Sequence, residues 1–208
     1  IRKYPNVIYS KLLHNTKGAA ETVQKCIDSI PDNRKNLKTV CLDGDTFYST
    51  DILEIVRKTD KNGVVCFRDN QDKPIYSYIK CNSKNVITAI AEKDRISDFA
   101  NTGCYIFQDA EKLSKYCKIA IKSGDIVKGE YYISMVIKRM INNGEIFTAN
   151  KIQRQDFHVL GTPFQVKLFA SERKNSFTPM RFCFDLDNTL VSYPRINGDY
   201  NTCEPLHN

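Results

Sequence analysis

Apolar and polar positions change their period along the chain, and the changes mark out elements. The run NVIYSKLL, Asn6–Leu13, is apolar and reads as a first strand. In GAAETVQKCIDSI, Ala20, Val23, Ile27 and Ile30 fall on one face at helical spacing, so Gly18–Ile30 reads as a helix. A turn, PDNRKN, leads to LKTVCLDGD, Leu37–Asp45, a buried strand that ends in acids. STDILEIVRKT opens on a Ser/Thr cap signal and continues as a helix, and GVVCFRD, Gly63–Asp69, is a strand again. PIYSYIKC and NVITAIAEK form a hairpin through the turn NSKN, and ANTGCYIF, Ala100–Phe107, is a further strand. DAEKLSKYCKIAIKS and EYYISMVIKRMINNG read as helices, the second stopped by Gly144. EIFTANKI and DFHVLG are late strands, followed by the helix TPFQVKLFASERK with Pro163 near its start.

Strands alternating with helices predict a Rossmann-like α/β fold: a mixed, mostly parallel sheet with helices on both faces. NSFTP lies in a linker at 175–180, and MRFCFDLDNTLV begins something new. The expected organisation is therefore one domain over 1–174, the linker, and the start of a second domain over 181–208. No apolar run reaches the about 18 residues of a membrane span. At 41% hydrophobic and 26% charged residues the composition excludes a disordered chain.

The net charge of +7 is spread out, with neither a single basic stripe nor an aromatic-rich RNA motif. It suits a small anionic substrate and leaves no footprint for a nucleic acid polymer. The eight cysteines include no C-x-x-C pair, which argues against a zinc ribbon. Cys41, Cys66, Cys81, Cys104 and Cys183 sit singly inside apolar runs, as small hydrophobes do in a reducing cytoplasm.

Candidate chemistry begins at VCLDGDTFY. Ligands of open α/β sheets sit at the carboxyl ends of strands. Gly44 removes a side chain where a ligand approaches, and Asp45 offers a hard oxygen for a magnesium ion bridging phosphates. D-G-D is equally ordinary turn chemistry. TKGAAETV places Gly18, Ala19 and Ala20 at a loop-to-helix start, where backbone amides can face a nucleotide. IAEKD sets a hydroxyl acceptor, Glu92, beside a phosphate-pairing cation, Lys93, though such pairs are usually solvated. NTGCYIF and VLGTPFQV bring Thr-Gly and Gly-Thr to strand ends.

In that order, GAAETV, LDGDTFY, EKDRISDFANTGCYIF, GEYYISMVI and HVLGTPFQV resemble the sugar-1-phosphate nucleotidylyltransferases, or nucleotide-sugar pyrophosphorylases. The likeness covers most of Asn6 to Arg173. It is greatest to the subgroup of capsule and surface-polysaccharide gene sets in which a phosphatase-like domain follows. The resemblance implies a cytoplasmic enzyme that joins a nucleoside triphosphate to a sugar phosphate with Mg2+ and releases pyrophosphate. By motif, Asp45 holds the metal and Gly18, Ala19 and Ala20 meet the base. Gly44 and Gly161 line the substrate. Glu92 accepts from sugar hydroxyls, Lys93 acts on the sugar phosphate, and Asn101, Thr102 and Gly103 line the sugar pocket. No membrane partner is implied, and a second copy of the chain is an admissible one.

Two departures stand out. The family's Gly-rich N-terminal loop, with its Arg and later Lys-Pro, is absent, and the chain opens on Ile1, so truncation is expected. Many members also carry an acid at the position of Val159, where His158 or Asp156 is the alternative metal ligand. At the other end, RFCFDLDNTLV resembles the first motif of haloacid-dehalogenase-like phosphatases. The likeness makes Asp185 the nucleophile, Asp187 the acid and base, and both of them Mg2+ ligands, with Thr189 shaping the phosphate loop. The alternatives to nucleotidyl transfer are a phosphatase of that class and a non-catalytic nucleotide-sugar-binding domain.

Overall fold

The computed structural model of the chain describes residues 7–172. They fall into two compact units, residues 7–41 with 52–152, and residues 42–51 with 153–172.

The first unit is built on a six-stranded sheet. Strands β3 (Asn62–Arg68), β4 (Ser77–Cys81), β5 (Ile87–Glu92), β6 (Phe99–Phe107) and β7 (Phe147–Lys151) lie in the order β5-β4-β6-β3-β7. β1 (Thr39–Leu42) also pairs with β6. The mixed sheet agrees with the sequence pattern, but its parallel share is smaller than the strand–helix alternation suggests. β3 runs parallel to β7, whereas β3–β6, β4–β5 and β4–β6 are antiparallel. The cause is the β4–β5 hairpin, which inserts antiparallel strands without a helical crossover.

The helices form where apolar residues recur at 3.6-residue spacing. α1 (Ala19–Asp28), α3 (Ala110–Ser123) and α4 (Ile133–Asn142) turn Ala20 and Ile27, Leu113 and Cys117, and Val136, Ile137 and Met140 into one core. That core meets Val64 and Cys66 of β3, Ile79 of β4, Phe107 of β6 and Phe147 of β7. Val65 and Phe67, on the opposite face of β3, are buried as well, so this strand reads as an unbroken apolar run. α3 is capped at both ends: the Asp109 carboxylate accepts from the Lys112 amide at 2.8 Å, and Gly124, at φ 71°, ends the helix. The shorter α2 (Ile52–Lys58) buries Val56.

Residues 7–13, expected as a first strand, belong to no strand or helix. Val7, Ile8, Tyr9 and Leu13 are exposed, so the run lacks the packing that would hold it extended. The expected thiol behaviour is present in the core: burial pushes both Cys66 and Cys117 up to about 12.

In the second unit, β2 (Thr46–Tyr48) pairs antiparallel with β8 (Phe157–Val159), and α5 (Pro163–Glu172) follows β8. Phe47, His158 and Phe169 stack there, with the His158 ring 6.0 Å from Phe47 and 4.9 Å from Phe169. No helix among the described residues is long and apolar enough to cross a membrane.

Phe147 is fully buried and meets Phe107 edge-on at 6.0 Å. Phe147→Ala is expected to cost about 3–5 kcal/mol in urea unfolding, the range for emptying an aromatic core site. A loss below about 1 kcal/mol would show that this junction of sheet and helices is not close-packed.

Candidate active site

In the first unit, three segments that are distant in sequence meet at one place: the end of β5, the turn before α4 and the start of α1. β5 ends at Glu92, whose ladder partner is Ser77 on β4. Lys93 follows in a left-handed conformation, φ 51°, with its amide donating to the Tyr76 carbonyl at 2.9 Å. A non-glycine residue pays for that backbone with strain, and such strain collects at functional positions.

The two side chains then reach the residues that open α4. The Glu92 carboxylate accepts from the Ser134 hydroxyl at 2.6 Å. The Lys93 ammonium donates to the Tyr132 phenol oxygen at 2.7 Å and lies 4.8 Å from the Tyr132 ring centroid. Burial raises the Glu92 carboxyl above its ordinary value, against the pull of the Ser134 hydrogen bond and the Lys93 charge. Lys93 is raised too, chiefly by its hydrogen bond to Tyr132. Both residues remain partly exposed, so a hydroxyl acceptor and a cation stand side by side within reach of a ligand.

The turn before α4 is tied to the start of α1. The Tyr131 amide donates to the Lys17 carbonyl at 2.7 Å, and the Ala20 amide donates to the Tyr131 carbonyl at 3.0 Å. Gly18 lies between these bonds at φ 128°, and a Cβ there would stand 2.7 Å from the Tyr131 backbone. This close approach gives Gly18 a packing reason to be glycine. Ala20 departs from the expected base-facing role, because its side chain is fully buried and its amide is already engaged. Ala19 opens the helix beside it.

Asn101, Thr102 and Gly103 form an irregularity in β6, opposite a register shift between Val64 and Cys66. Gly103 has φ 82°, and its amide donates to the Asn101 side-chain oxygen at 2.9 Å. The Asn101 amide group donates to Ser77 at 3.0 Å, while the Thr102 hydroxyl donates to the Val65 carbonyl at 3.0 Å. Asn101 and Glu92 thus meet through Ser77, whereas Thr102 turns toward β3. With both side chains buried, the N-T-G stretch satisfies the backbone of a bulge rather than presenting a polar surface.

In the second unit, the β2–β8 pairing places Val159 opposite Thr46 and brings the Asp-Gly-Asp turn beside the Gly-Thr motif. The Leu160 amide donates to the Asp45 carbonyl at 2.7 Å. A Cβ on Gly161 would stand 2.5 Å from the Asp45 carboxylate, so the missing side chain makes room for that acid. Gly44 has open space around it. His158 is occupied with Phe47 and Phe169, and Asp156 accepts at 3.4 Å from the Ser49 hydroxyl. Neither takes the place of an acid at Val159. Among the described residues no group of three or more His, Cys, Asp or Glu gathers to hold a metal. Asp45 therefore fits a cation only as a single carboxylate, the number with which Mg2+ is often bound when phosphates and water complete its shell.

A separate cavity of about 750 Å3 lies beside α1 and α3, lined by Asp28, Lys35, Glu111 and Lys118 among others, and takes in none of the residues singled out by motif. Asp185, Asp187 and Thr189 lie outside the described residues. Tyr132 and Ser134 fall in GEYYISMVI and Ser77 in PIYSYIKC, yet the sequence alone assigns none of them a role. Their signal was faint, because Tyr and Ser at a helix start read as ordinary entry residues.

A family model described as nucleotidyl transferase matches residues 6–155. No curated protein matches the chain. Among solved structures, a nucleoside-diphosphate-sugar pyrophosphorylase from Vibrio cholerae RC9 is 23% identical, with a TM-score of 0.66 over 77% of this chain and 67% of that one. A Bacillus anthracis protein provisionally described as a glucose-1-phosphate thymidylyltransferase, in complex with sucrose, is 19% identical, with a TM-score of 0.61 over 82% and 66%. The inositol-1-phosphate CTP transferase from T. maritima is 13% identical, with a TM-score of 0.57 over 78% and 64%. At these identities the likeness establishes the fold. The chain spans about two thirds of the length of each of the three.

Two measurements test this geometry. Gly18→Ala forces a Cβ onto the Tyr131 backbone and strains the left-handed φ. It is expected to cost about 2–4 kcal/mol in urea unfolding, without any ligand present. An unchanged midpoint would contradict the close approach.

Glu92 supplies the second. A carboxyl raised in the folded state holds its proton more tightly there than in the unfolded chain. The native state therefore loses stability as pH climbs from the ordinary 4.5 through the raised value. Glu92→Gln removes the charge and keeps an oxygen for Ser134. Melting curves of variant and wild type should coincide below about pH 4 and separate in the variant's favour at neutral pH. A variant less stable than wild type at neutral pH would overturn the account.

Proposed function

This chain belongs to the nucleotidyl transferase family, and from that premise we propose that it joins a nucleoside triphosphate to a sugar 1-phosphate or a similar phosphate. In that reaction an oxygen of the sugar phosphate attacks the α-phosphorus of the triphosphate. The bond from that phosphorus to the β-bridging oxygen breaks, and pyrophosphate leaves with the electron pair. The observation that carries the reading is the pair at the end of β5, a carboxylate and an ammonium held side by side by Ser134 and Tyr132. Glu92 suits sugar hydroxyls and Lys93 suits the attacking phosphate.

Two polyanions must meet for this chemistry, so charge neutralisation and alignment dominate the barrier. Asp45 is the residue that would hold Mg2+, whose charge offsets that of the phosphates. Gly161 fits the role by leaving the Asp45 carboxylate room. Asn101, Gly103 and Ser77 serve as the frame that fixes Glu92. The product is assigned to surface-polysaccharide building in the cytoplasm. The motif series supports the pathway, and the free thiols of the described residues support a reducing compartment. A second reaction, phosphomonoester hydrolysis at Asp185 and Asp187, is proposed on the D-x-D-x-T stretch alone.

The test is pyrophosphate release by the full-length protein, supplied with Mg2+, each nucleoside triphosphate and a panel of sugar 1-phosphates. Asp45→Asn should slow the reaction by about a hundredfold or more, the scale for losing one key electrostatic group. Gly161→Ala should keep the fold, because the acid's end can swing away, yet should slow the reaction by displacing that acid. Asp185→Asn should leave pyrophosphate release unchanged. Release that survives Asp45→Asn, or that fails with every sugar phosphate, would overturn the proposal.

A further inference from the structure

Tyr132 falls within GEYYISMVI, where no role was assigned to it, yet its phenol is the partner of Lys93 at the end of β5. We infer that Tyr132 and Lys93 together form a two-donor clamp for a phosphate-type oxyanion, an inference that rests on the reading of Lys93 given under Proposed function. The geometry points to it in three steps.

First, the ammonium spends one of its three N–H donors on the Tyr132 oxygen at 2.7 Å, which leaves two for a ligand. The phenol accepts that bond through a lone pair, so its own O–H is still a donor. A phosphate oxyanion placed against the pair meets an N–H and an O–H from fixed positions.

Second, the clamp is stiff. Lysine ordinarily loses about 2 kcal/mol of rotamer freedom when held in place. Here that ordering is imposed before any ligand arrives. The backbone at Lys93 is fixed by the hydrogen bond from its amide to the Tyr76 carbonyl, and the ammonium is held at the Tyr132 phenol oxygen at 2.7 Å. Tyr132 is fixed in turn. It immediately precedes α4, and its neighbour Tyr131 is bonded on both sides of Gly18.

Third, the acid next door is held by a different partner. Glu92 is bonded to Ser134, which engages the carboxylate separately while the ammonium keeps its contact with Tyr132. The adjacent residue pairs Glu92–Ser134 and Lys93–Tyr132 therefore sort an acceptor and a donor pair into neighbouring positions. Such sorting suits a ligand that carries a hydroxyl next to an oxyanion.

The experiment is calorimetric titration of inorganic phosphate, at low ionic strength, into four forms of the full-length protein. They are wild type, Tyr132→Phe, Lys93→Met and the double variant, each checked for fold by circular dichroism. Tyr132→Phe keeps the ring and removes only the hydroxyl. It should weaken phosphate binding about three- to tenfold, the worth of one hydrogen bond to a charged group at a partly exposed site. Lys93→Met should weaken it at least as much. The double variant should bind no more weakly than Lys93→Met alone, because the phenol acts on the oxyanion in concert with the ammonium. Additive losses, or a Tyr132→Phe affinity equal to wild type, would overturn the clamp while leaving Lys93 as a phosphate-pairing group. If wild type binds no phosphate, or if Lys93→Met binds it as wild type does, the assignment of Lys93 itself fails and the clamp fails with it.

Discussion

Strand β6 has two edges and three partners, and the first unit is organised around that constraint. β3 occupies one edge along most of its length, from Arg68 opposite Phe99 to Gly63 opposite Ile106. β4 pairs with β6 at Phe99 and Ala100, and β1 is its third partner. An extended strand cannot change neighbours smoothly inside a buried sheet, because each exchanged hydrogen bond must be replaced. The β3–β6 ladder is interrupted at Asn101, Thr102 and Gly103, opposite its register shift. Gly103 adopts the left-handed conformation, and the side chains of Asn101 and Thr102 supply bonds the backbone gives up. The candidate site follows from this. Ser77, held by Asn101, is the ladder partner of Glu92, so the bulge in β6 sets where the end of β5 lies.

The same logic explains why the site gathers on short, irregular pieces rather than on long elements. Gly18, the turn at Lys128 and Gly129, and Lys93 all have positive φ, and all lie around one point. Lys128 and Gly129 form the tight turn that sends Tyr131 back against Gly18, closed by mutual bonds between Val127 and Glu130 at 3.0 Å. Regular elements supply the stiffness: the buried face of α4 anchors Tyr132 and Ser134, and the β4–β5 ladder anchors Glu92. Strain at the rim is tolerated because the core beneath it is closely packed.

Much of this frame was legible in the residues. α3 announced itself as the helical run DAEKLSKYCKIAIKS, which opens on the capping Asp109. The β4–β5 hairpin and β3 were equally plain, since their period or apolar run is a local property. What stayed hidden depends on partners far away in the chain. The apolar run at 7–13 reads as a strand by composition, and composition cannot say whether a described strand lies beside it. N-T-G reads as an ordinary stretch of strand, and only β3 and β4 beside it show where the Asn101 and Thr102 side chains bond. Gly18 reads as part of a helix start whose amides can face a nucleotide, and only the fold shows the Tyr131 backbone close against it. Asp45 and Gly161 are more than a hundred positions apart, and only the β2–β8 register shows that one leaves room for the other.

The buried thiols give the protein a property unrelated to any ligand. Only a thiolate reacts readily with alkylating reagents, and Cys66 and Cys117 are held far from ionisation by the apolar surroundings they share with the core. Cys26 lies on the exposed side of α1, open to a reagent in solution. A reagent that discriminates among the three distinguishes the surface of a helix from the interior it covers. The slow alkylation of Cys66 and Cys117 becomes a built-in clock for how often the sheet and its helices come apart.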